Sequence, residues 1–553
     1  MSDAIPFDPR LPLPAWVTRL RNQQVDAVSA VAAAFDAGYG QVFCDAPTGS
    51  GKTLLGEVLR RSLGVRALYL CTTTQLQAQV LRDFPYACVI KGRKHYPTEL
   101  FPDVTCDACE GKLCGYCSFG ACPYALAKQA ALGAQLAVAN TAYFLSEANN
   151  LFGEFGLRKD GRPAFDLVII DEADRLEATL MGVISLEFTH KQLNLWRVAP
   201  PLTTDAEVVA PWLERKVLPA IRQRLAAFEA RVEQLEGRTR AAVRRQIAEY
   251  EELEARTFDV INEYGEGNWV LCETAIGIAF RPVSVREYGR TWLWQHAPRW
   301  LLMSASLIRP RIMAHELGLP LIDEAQIVTV PSTFPAARRP IYALDVARLT
   351  RNVIDVTLPK VLDALDEIII AYPGERVLVH CHSKRILGAC RDRFGDLARA
   401  KWYTTPQDRE AVVAAYLATP AAVLFSLAMD RGVDLPDDAC RVVIIIKMPF
   451  ADLGDAQVAA RKARSGGDVW YDVTTIRTLV QASGRGMRHA EDWVCTYILD
   501  ASFKTFFARQ HRNFPPWWRD AVVTPRAGTF PVFTPPQQTR VDESRYAATK
   551  GAR

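Results

Sequence analysis

The stretch 46-APTGSGKT-53 decides how the first half of this chain folds. It follows the apolar run 41-QVFCDAP and precedes the helical run 54-LLGEVLRRSL, so it connects a strand to a helix. Small residues let the backbone N–H groups curl around phosphate oxygens, while Lys52 suits the β- and γ-phosphates and Thr53 suits magnesium. The residues expected to hold the nucleotide are Ala46, Pro47, Thr48, Gly49, Ser50, Gly51, Lys52 and Thr53. The stricter pattern has glycine in place of Ala46, and the alternative interpretation is a tight glycine turn followed by a surface lysine.

Short apolar runs alternate with helical stretches along most of the chain. The first set is 41-QVFCDAP, 67-ALYLCTT, 136-LAVAN, 167-LVIID and 301-LLMSAS. The second set is 377-VLVHC, 422-AVLFSLA, 442-VVIIIKM and 494-VCTYILD. Runs that are apolar almost throughout are typical of parallel strands covered on both faces by crossover helices. The sequence therefore predicts an α/β protein with two parallel-sheet domains and additional segments inserted in the first.

The composition is that of a globular protein with several domains. The 553 residues carry a net charge of only +4, which does not by itself indicate a nucleic-acid partner. A locally basic channel is compatible with this small net charge. The first residues lack a basic segment followed by an apolar run, and no stretch reaches the roughly 18 apolar residues of a membrane helix. We therefore expect a bacterial or viral protein of the cytoplasm, with reduced thiols and no membrane partner.

Two carboxylates end the apolar run in 167-LVIIDEAD. Asp171 suits the binding of magnesium, and Glu172 suits the orientation and deprotonation of an attacking water. Acidic pairs after strands are common, but this pair follows a phosphate-binding loop by about 120 residues. The combination predicts hydrolysis of ATP bound with magnesium.

The stretch 481-QASGRGMR carries two arginines three residues apart, on one face of a helix. Arg485 and Arg488 are candidates for stabilising the charge on the γ-phosphate from the second domain. The alternative is a basic helix with a glycine packing contact.

Taken in order, 46-APTGSGKT, 171-DEAD, 304-SAS, 432-GVDLP and 481-QASGRGMR resemble the motifs of a superfamily 2 helicase. The chain is most similar to the XPD/DinG family, and the supporting residues are Arg21, Gln24, 91-KGRKHY, 122-CPYALAK, 140-NTAYFL, 332-STFP, 377-VLVHCHSK and 448-MPF. The resemblance extends over roughly residues 20–505. It implies two RecA-like motor domains with an ATP cleft between them. It also implies 5′→3′ movement along single-stranded DNA, coupled to the unwinding of forked duplexes.

The resemblance also implies roles for individual residues. Four residues are expected to complete the nucleotide site, namely Gln24, Gln481, Arg485 and Arg488. Two others, Gly432 and Asp434, lie in a motif expected to communicate between the nucleic-acid strand and ATP. Thr73 and Gln75 lie in the motif that touches the nucleic-acid backbone, while Ser304 and Ser306 link hydrolysis to movement. Two positions depart from the family pattern. Asp174 stands where histidine is usual, and Ser306 stands where threonine is commoner.

Five cysteines lie within 17 residues, namely Cys106, Cys109, Cys114, Cys117 and Cys122. Four thiolates can hold a [4Fe–4S] cluster or one tetrahedral zinc ion. The two Cys-x-x-Cys pairs alone suggest a zinc ribbon, whereas the place of the insert and its ending in 122-CPY resemble the iron–sulfur domain of the XPD/DinG family. The resemblance favours Cys109, Cys114, Cys117 and Cys122 as iron–sulfur ligands, with Cys106 as the substitute for Cys109. A set of buried or free thiols is the remaining alternative.

The expected domains are discontinuous. Motor domain 1 comprises residues 1–91, 126–184 and 286–330, interrupted by the iron–sulfur insert at 92–125 and a helical, arch-like insert at 185–285. Motor domain 2 comprises 331–515, and residues 516–553 form an extended or disordered tail. In the second insert, apolar residues at alternating spacings predict one helix face, formed by Ile221, Leu225, Phe228, Val232 and Leu235. We prefer a helical hairpin to a dimerising coiled coil. The sequence does not determine the oligomeric state, and a monomer is favoured.

Several functions fit these motifs. An ATP-dependent DNA helicase is the preferred interpretation. The alternatives are a nucleic-acid-stimulated ATPase or translocase without unwinding, and an RNA helicase, which the DEAD spelling suggests. A nucleic-acid-binding scaffold without activity is disfavoured, because all the phosphate-handling residues are present.

Overall fold

The computed structural model describes residues 17, 19–97, 105–108, 122–150, 153–264, 267–320, 325–405, 408–427, 435, 437–484, 487, 491–526 and 530–534. The chain forms two compact units, and each draws on separate parts of the sequence. The first unit comprises Met1–Asp45, Gly51–Val330 and Ala451–Trp470. The second unit comprises Ala46–Ser50, Pro331–Phe450 and Tyr471–Arg553.

The strands of the described residues are β1 (Gln41–Asp45), β2 (Ala67–Cys71), β3 (Cys88–Val89), β4 (Leu136–Asn140), β5 (Leu167–Asp171), β6 (Leu186–Thr189), β7 (Trp269–Glu273), β8 (Gly277–Pro282), β9 (Trp300–Ser304), β10 (Ala325–Thr329), β11 (Ile341–Ala347), β12 (Val377–His380), β13 (Ala400–Tyr403), β14 (Val423–Ser426), β15 (Val442–Ile445), β16 (Cys495–Asp500) and β17 (Val522–Val523).

The helices are α1 (Asn22–Asp36), α2 (Lys52–Leu63), α3 (Thr74–Asp83), α4 (Pro123–Gly133), α5 (Thr141–Ala148), α6 (Leu176–Ile184), α7 (His190–Trp196), α8 (Ala206–Trp212), α9 (Leu218–Val232), α10 (Gly237–Tyr264), α11 (Gly289–Trp292), α12 (Pro310–Glu316), α13 (Ile354–Ala371), α14 (Lys384–Phe394), α15 (Arg409–Ala418), α16 (Ala456–Ala463), α17 (Gly467–Ser483), α18 (Ser502–Gln510) and α19 (Pro516–Arg519).

The sheet of the first unit has seven parallel strands in the order β10-β1-β9-β5-β2-β4-β3. Strands β2, β5 and β9 are buried at every position, as expected for strands with helices on both faces. The order places β1, β9, β5 and β2 side by side. Because parallel strands end at the same edge of a sheet, the motifs that follow these four strands are brought together there.

The sheet of the second unit also has seven parallel strands, in the order β13-β14-β12-β15-β16-β11-β17. Its central strands β14, β12, β15 and β16 are the four apolar runs from which the sequence predicted a second α/β domain. The predicted fold class, with two parallel-sheet domains, is therefore confirmed.

The segment after β5 and α6 combines helices with a small sheet. The predicted apolar face exists on α9, where Ile221 and Val232 are buried, and Val232 packs in a cluster with Val243 and Ile247 of α10. This pairing is the expected helical hairpin. The insert also contains an antiparallel sheet in the order β6-β8-β7, which the helical prediction did not include. Strand β6 alternates buried and exposed side chains over only four residues, a pattern too short to stand out in the sequence.

The segment Ala451–Trp470 packs in the first unit, although the chain on both sides of it belongs to the second. Its central side chain, Arg461, is buried and forms ion pairs with Glu177 of α6 and Glu316 of α12. The guanidinium also lies 4.3 Å from the centre of the Trp470 ring. The first unit is therefore stabilised in part by residues that are encoded far beyond its own sheet.

Regular secondary structure is present beyond residue 515. Residues Pro516–Arg519 form α19, and Val522–Val523 form β17, which pairs with β11 at the edge of the second sheet. Trp518 has no exposed surface, and its indole N–H donates a 2.7 Å hydrogen bond to Ser483 Oγ. Burial of this large ring stabilises the packing of the segment on the second unit. Most of the remaining tail, including residues 535–553, lies outside the described residues.

Candidate active site

The carboxyl ends of β1, β9, β5 and β2 carry the predicted catalytic residues of the first unit. Strand register pairs Asp45 with Ser304 across β1 and β9, and Asp171 with Met303 across β5 and β9. The side chains that follow these positions come from motifs more than 100 residues apart in sequence. Their convergence is a consequence of the strand order.

Helix α2 begins at Lys52, directly after a glycine that the loop requires. Gly51 has a φ of 80°, and a Cβ at this position would lie 2.4 Å from Gln24 Nε2. The Gln24 side chain is buried, and its Oε1 accepts the Arg21 N–H at 3.0 Å. Gln24, which the resemblance assigned to the nucleotide site, therefore lies against the end of the phosphate-binding loop.

The first part of the loop, Ala46–Ser50, groups with the second unit. The Ser50 N–H donates to the Pro47 carbonyl at 3.1 Å, which closes a turn. Gly49 has a φ of 77°, and a Cβ there would lie 2.1 Å from the tip of the Phe334 ring. Phe334 lies in the stretch 332-STFP and had no predicted role, but its ring occupies the space beside this glycine.

The two predicted magnesium ligands converge on one buried tyrosine. The Tyr69 hydroxyl donates a 3.1 Å hydrogen bond to Asp171 Oδ2, and it also shares a hydrogen bond with the Thr53 side chain. Burial raises the pKa of the Asp171 carboxyl, while the Lys52 ammonium acts in the opposite direction. A hydroxyl and a carboxylate, with an ammonium nearby, are a donor set that fits magnesium bound with phosphates.

The predicted general base Glu172 is held by a residue of the neighbouring strand end. The Thr72 hydroxyl donates a 2.7 Å hydrogen bond to Glu172 Oε2. The Glu172 backbone has a φ of 52°, in the left-handed region, and its N–H donates to Asp171 Oδ1 at 2.9 Å. Thr72 was not predicted as a site residue, since a contact across 100 residues leaves no local pattern.

The two hydroxyls of 304-SAS lie at the end of the strand next to this carboxylate pair. Ser304 Oγ donates to Asp174 Oδ1 at 2.6 Å, and it lies 3.4 Å from Ser306 Oγ. All three side chains are buried. Ser304, one of the two residues that the resemblance assigned to coupling, therefore contacts the motif that carries Asp171 and Glu172.

A carboxylate that the sequence analysis overlooked ends β1. Burial raises the pKa of Asp45 to about 7, and the nearby Lys52 ammonium opposes that rise. Its place in the sequence could have indicated this, because Asp45 directly precedes the phosphate-binding loop. This carboxylate is a second acidic neighbour of Lys52, besides Asp171.

The motif that the resemblance assigned to contact with the nucleic-acid backbone lies at the end of β2. The Thr73 side chain accepts the Leu76 N–H at 3.3 Å and so caps α3, while Gln75 is exposed. Helix α17 of the second unit carries Gln481 in its last turn. The remaining predicted site residues of that unit, Gly432, Asp434, Arg485 and Arg488, lie outside the described residues.

Two of the five clustered cysteines are described, and they are in contact. Cys106 is buried, and its sulfur lies 3.7 Å from the sulfur of Cys122. Two thiols at this distance are suitable donors for a metal, and about 3.8 Å separates two thiolates on one tetrahedral zinc with 2.3 Å bonds. Cys109, Cys114 and Cys117 lie outside the described residues. Within the part of the chain that is described, no cluster of three or more His, Cys, Asp or Glu side chains is arranged to hold a metal.

Two family models match separate parts of the chain. The model of the helicase C-terminal domain matches residues 366–521. The model described as type III restriction enzyme, res subunit, matches residues 18–195. The matches cover the second α/β region and the part of the first that contains the phosphate-binding loop and Asp171. Among the described helices, none has the length and apolar composition needed to cross a membrane.

Curated relatives match over limited stretches. The ATP-dependent DNA helicase YoaA of Escherichia coli strain K12 is 24% identical over 252 residues, which are 43% of this chain and 39% of that protein. A Fanconi anemia group J protein homolog of Gallus gallus is 29% identical over 104 residues, 17% of this chain and 8% of that protein. The chain thus spans less than half the length of these relatives.

Solved structures match over nearly the whole chain. An XPD helicase aligns with a TM-score of 0.64 and 14% identity, over 92% of this chain and 100% of its own. The Xpd4 protein of S. tokodaii aligns with a TM-score of 0.58 and 13% identity, over 92% and 100% of the two chains. At this identity the likeness concerns the fold, and it agrees with the two parallel-sheet units described above.

Proposed function

Because the chain belongs to the XPD/DinG-like family of superfamily 2 helicases, we propose that it is an ATP-dependent DNA helicase that translocates on single-stranded DNA. The observation that carries this proposal is the convergence of Thr53 and Asp171 on the Tyr69 hydroxyl, with Lys52 nearby. This arrangement provides a hydroxyl and a carboxylate for magnesium and a cation for the phosphates.

In the proposed reaction, the backbone of Ala46–Ser50 and the Lys52 ammonium hold the phosphates of ATP. Magnesium, held by Thr53 and Asp171, would neutralise charge on the β- and γ-phosphate oxygens. Glu172 takes a proton from the attacking water. Arg485 and Arg488 stabilise the charge that develops on the γ-phosphate, and Gln24 and Gln481 complete the nucleotide contacts.

The decisive experiment measures ATP hydrolysis by the purified protein with and without single-stranded DNA. Lys52→Ala should reduce hydrolysis to background while leaving the circular dichroism spectrum unchanged. Lys191→Ala, which removes an exposed lysine from α7, is the matched control and should hydrolyse ATP at the wild-type rate. Undiminished hydrolysis by Lys52→Ala would disprove the assignment of the phosphate-binding loop. A wild-type protein that hydrolyses no ATP even with DNA would point instead to a binding scaffold.

The proposal includes 5′→3′ movement by a monomer on forked DNA. Two partial duplexes, one with a single-stranded tail only at a 5′ end and one with a tail only at a 3′ end, should differ in how well they are unwound. Only the 5′ tail should support unwinding. Stimulation of hydrolysis without unwinding of either duplex would favour a translocase. Stronger stimulation by single-stranded RNA than by DNA would favour the RNA helicase, and sedimentation during turnover would reveal a dimer.

A cavity of about 920 Å³ in the first unit offers surfaces for gripping the strand. Trp292 and Trp470 line it and are half-buried, and Arg286 and Arg464 line it and are exposed. Aromatic rings stack on bases of any sequence, and arginines contact phosphates. Trp470→Ala is expected to weaken single-stranded DNA binding by about tenfold, in line with roughly 1–3 kcal/mol per stacked base.

We further propose that the cysteine insert binds a [4Fe–4S] cluster, as the resemblance implies, with Cys109, Cys114, Cys117 and Cys122 as ligands and Cys106 as the substitute for Cys109. The contact between Cys106 and Cys122 supports a thiolate site, and its 3.7 Å separation is that expected for two thiolates on one zinc ion. Protein purified without oxygen should be brown and contain iron, and Cys122→Ser should lose both properties. A colourless protein that contains one equivalent of zinc would show that the site holds zinc and not the cluster.

A further inference from the structure

The contact between Thr72 and Glu172 joins two parts of the protein with different tasks. Strands β2 and β5 are neighbours, with Leu70 opposite Ile170, so the residues just beyond both strands meet at the same edge of the sheet. There the Thr72 hydroxyl donates its 2.7 Å hydrogen bond to Glu172 Oε2. Both side chains are half-buried. One of the two oxygens of the proposed base is thus directed to a hydroxyl of the next strand.

The backbone at Thr72 is also hydrogen-bonded to the elements on the other side of β2. The Asn140 amide donates to the Thr72 carbonyl at 3.1 Å, and the Thr141 hydroxyl donates to the Cys71 carbonyl at 3.3 Å. The next residue, Thr73, caps α3. The backbone around Thr72 is therefore held by β4 and α5 and leads directly into the motif whose exposed Gln75 is a candidate contact of the nucleic-acid strand. Because Thr72 directly precedes this motif, a displacement of the motif would act on the Thr72 backbone and on these two hydrogen bonds.

We propose that Thr72 is a positioning residue that restrains Glu172 until a nucleic-acid strand engages residues 73–75. The inference rests on the role of Glu172 proposed above. While the hydrogen bond is made, Oε2 is turned toward Thr72 and is engaged by the threonine hydroxyl instead of by water. When binding of the nucleic-acid strand displaces Thr72 and breaks this hydrogen bond, Glu172 accepts a proton from water. The resulting hydroxide bonds to the γ-phosphorus, and the bond to the β-phosphate oxygen breaks, with its electrons leaving on ADP. Thr72 keeps its own proton throughout.

The test compares ATP hydrolysis by wild type and Thr72→Val, which keeps the shape of the side chain but removes the hydroxyl. The DNA-free kcat should rise about tenfold, a part of the 10²–10⁴-fold that a general base contributes. The kcat at saturating thymidine homopolymer and the KM for ATP should stay within about twofold of wild type. The stimulation by DNA should therefore fall about tenfold. Thr72→Ser, which restores the hydroxyl, should restore the stimulation.

Thr350→Val is the matched control, because it removes an exposed threonine hydroxyl that lies outside residues 73–75. Its DNA-free rate should equal that of wild type. A Thr72→Val variant that is slower both with and without DNA would overturn the inference, since the hydroxyl would then orient Glu172 productively. An unchanged DNA-free rate would overturn it as well. Glu172→Gln separates the two proposals, because full activity in that variant would refute the role of Glu172 itself, whatever Thr72→Val does.

Discussion

The Ser304 hydroxyl donates a 2.6 Å hydrogen bond to Asp174 Oδ1, and neither side chain is exposed to solvent by more than a few per cent. Ser304 ends β9, and Asp174 lies in the turn that follows Asp171 and Glu172. The aspartate that departs from the usual family residue is therefore used in a direct bond to the next motif. A short carboxylate side chain suffices here because β9 and β5 are adjacent.

This bond should contribute measurably to stability. Ser304→Ala removes the donor from a buried carboxylate, and we expect a loss of about 1.5–3 kcal/mol in the free energy of unfolding. The comparison is Ser185→Ala, which removes a hydroxyl that donates to the neutral Met181 carbonyl at 2.7 Å and should cost only about 0.5–1.5 kcal/mol. Urea unfolding measures both. Equal losses would show that the charge of Asp174 adds nothing to the bond.

The space beside Gly49 is filled by Phe334, so enlarging the glycine should impair nucleotide binding. In Gly49→Ala the new Cβ would lie 2.1 Å from the ring, at a φ of 77° that disfavours alanine. We expect at least a tenfold weaker affinity for a fluorescent ATP analogue, and partial recovery in Gly49→Ala with Phe334→Ala. Gly38→Ala is the control, because Gly38 has a φ of 93° and a Cβ added there would meet no described atom within 4 Å. If the double variant binds no better than Gly49→Ala, the ring is not the obstacle.

The buried ion pairs of Arg461 should be costly to break from one side. Arg461→Met leaves Glu177 and Glu316 without this cation, and about 3–5 kcal/mol of unfolding free energy should be lost. Adding Glu177→Gln and Glu316→Gln removes the buried charges and should recover much of the loss. Arg464→Met, at an exposed arginine of the same segment, should cost at most about 1 kcal/mol. Denaturant unfolding of the four proteins decides, and similar losses at both arginines would contradict the expectation.

His296 should make the protein sensitive to mild acid. Its Nδ1 accepts the Leu157 N–H at 3.0 Å, and its Nε2 lies 3.2 Å from Asn149 Oδ1, so the neutral ring with hydrogen on Nε2 satisfies both contacts. Burial lowers the pKa of His296 from 6.5 to about 4. Between these values the unfolded chain binds a proton that the folded chain does not, so stability falls as the pH decreases through this window.

The measurement is urea unfolding of wild type and His296→Gln at pH 7 and pH 5. Wild type should lose about 1–2 kcal/mol more than the variant between the two pH values. His511→Gln, at an exposed histidine, controls for the loss of an imidazole as such. Parallel losses in wild type and His296→Gln would exclude His296 as the source of the acid sensitivity.

Sequence reasoning found the strands that are buried on both faces, because uninterrupted apolar runs leave a strong signal. It missed β11 and β17 at one edge of the second sheet, where β11 mixes exposed Asp345 with apolar neighbours and β17 has only two residues. It also missed the small sheet of the second insert. Short or half-exposed strands depend on their tertiary partners, which no local pattern records.

The candidate site divides in the same way. Lys52, Thr53, Asp171 and Glu172 could be predicted from the sequence because their motifs have fixed spacing and chemistry. Phe334 and Thr72 could not, since each makes its contact with a residue that is far away in sequence. Only the strand order reveals such contacts.

The passage of Ala451–Trp470 into the first unit constrains how this protein can change by recombination. A crossover near residue 330 would inherit one sheet from each parent, yet it would also bring the second parent's Arg461 to the first parent's Glu177 and Glu316. Viable hybrids should therefore arise between parents that agree at these three positions, or from double crossovers that carry 451–470 along with the first sheet. Each sheet can drift in sequence on its own, but this buried cation and its two carboxylates must be inherited together.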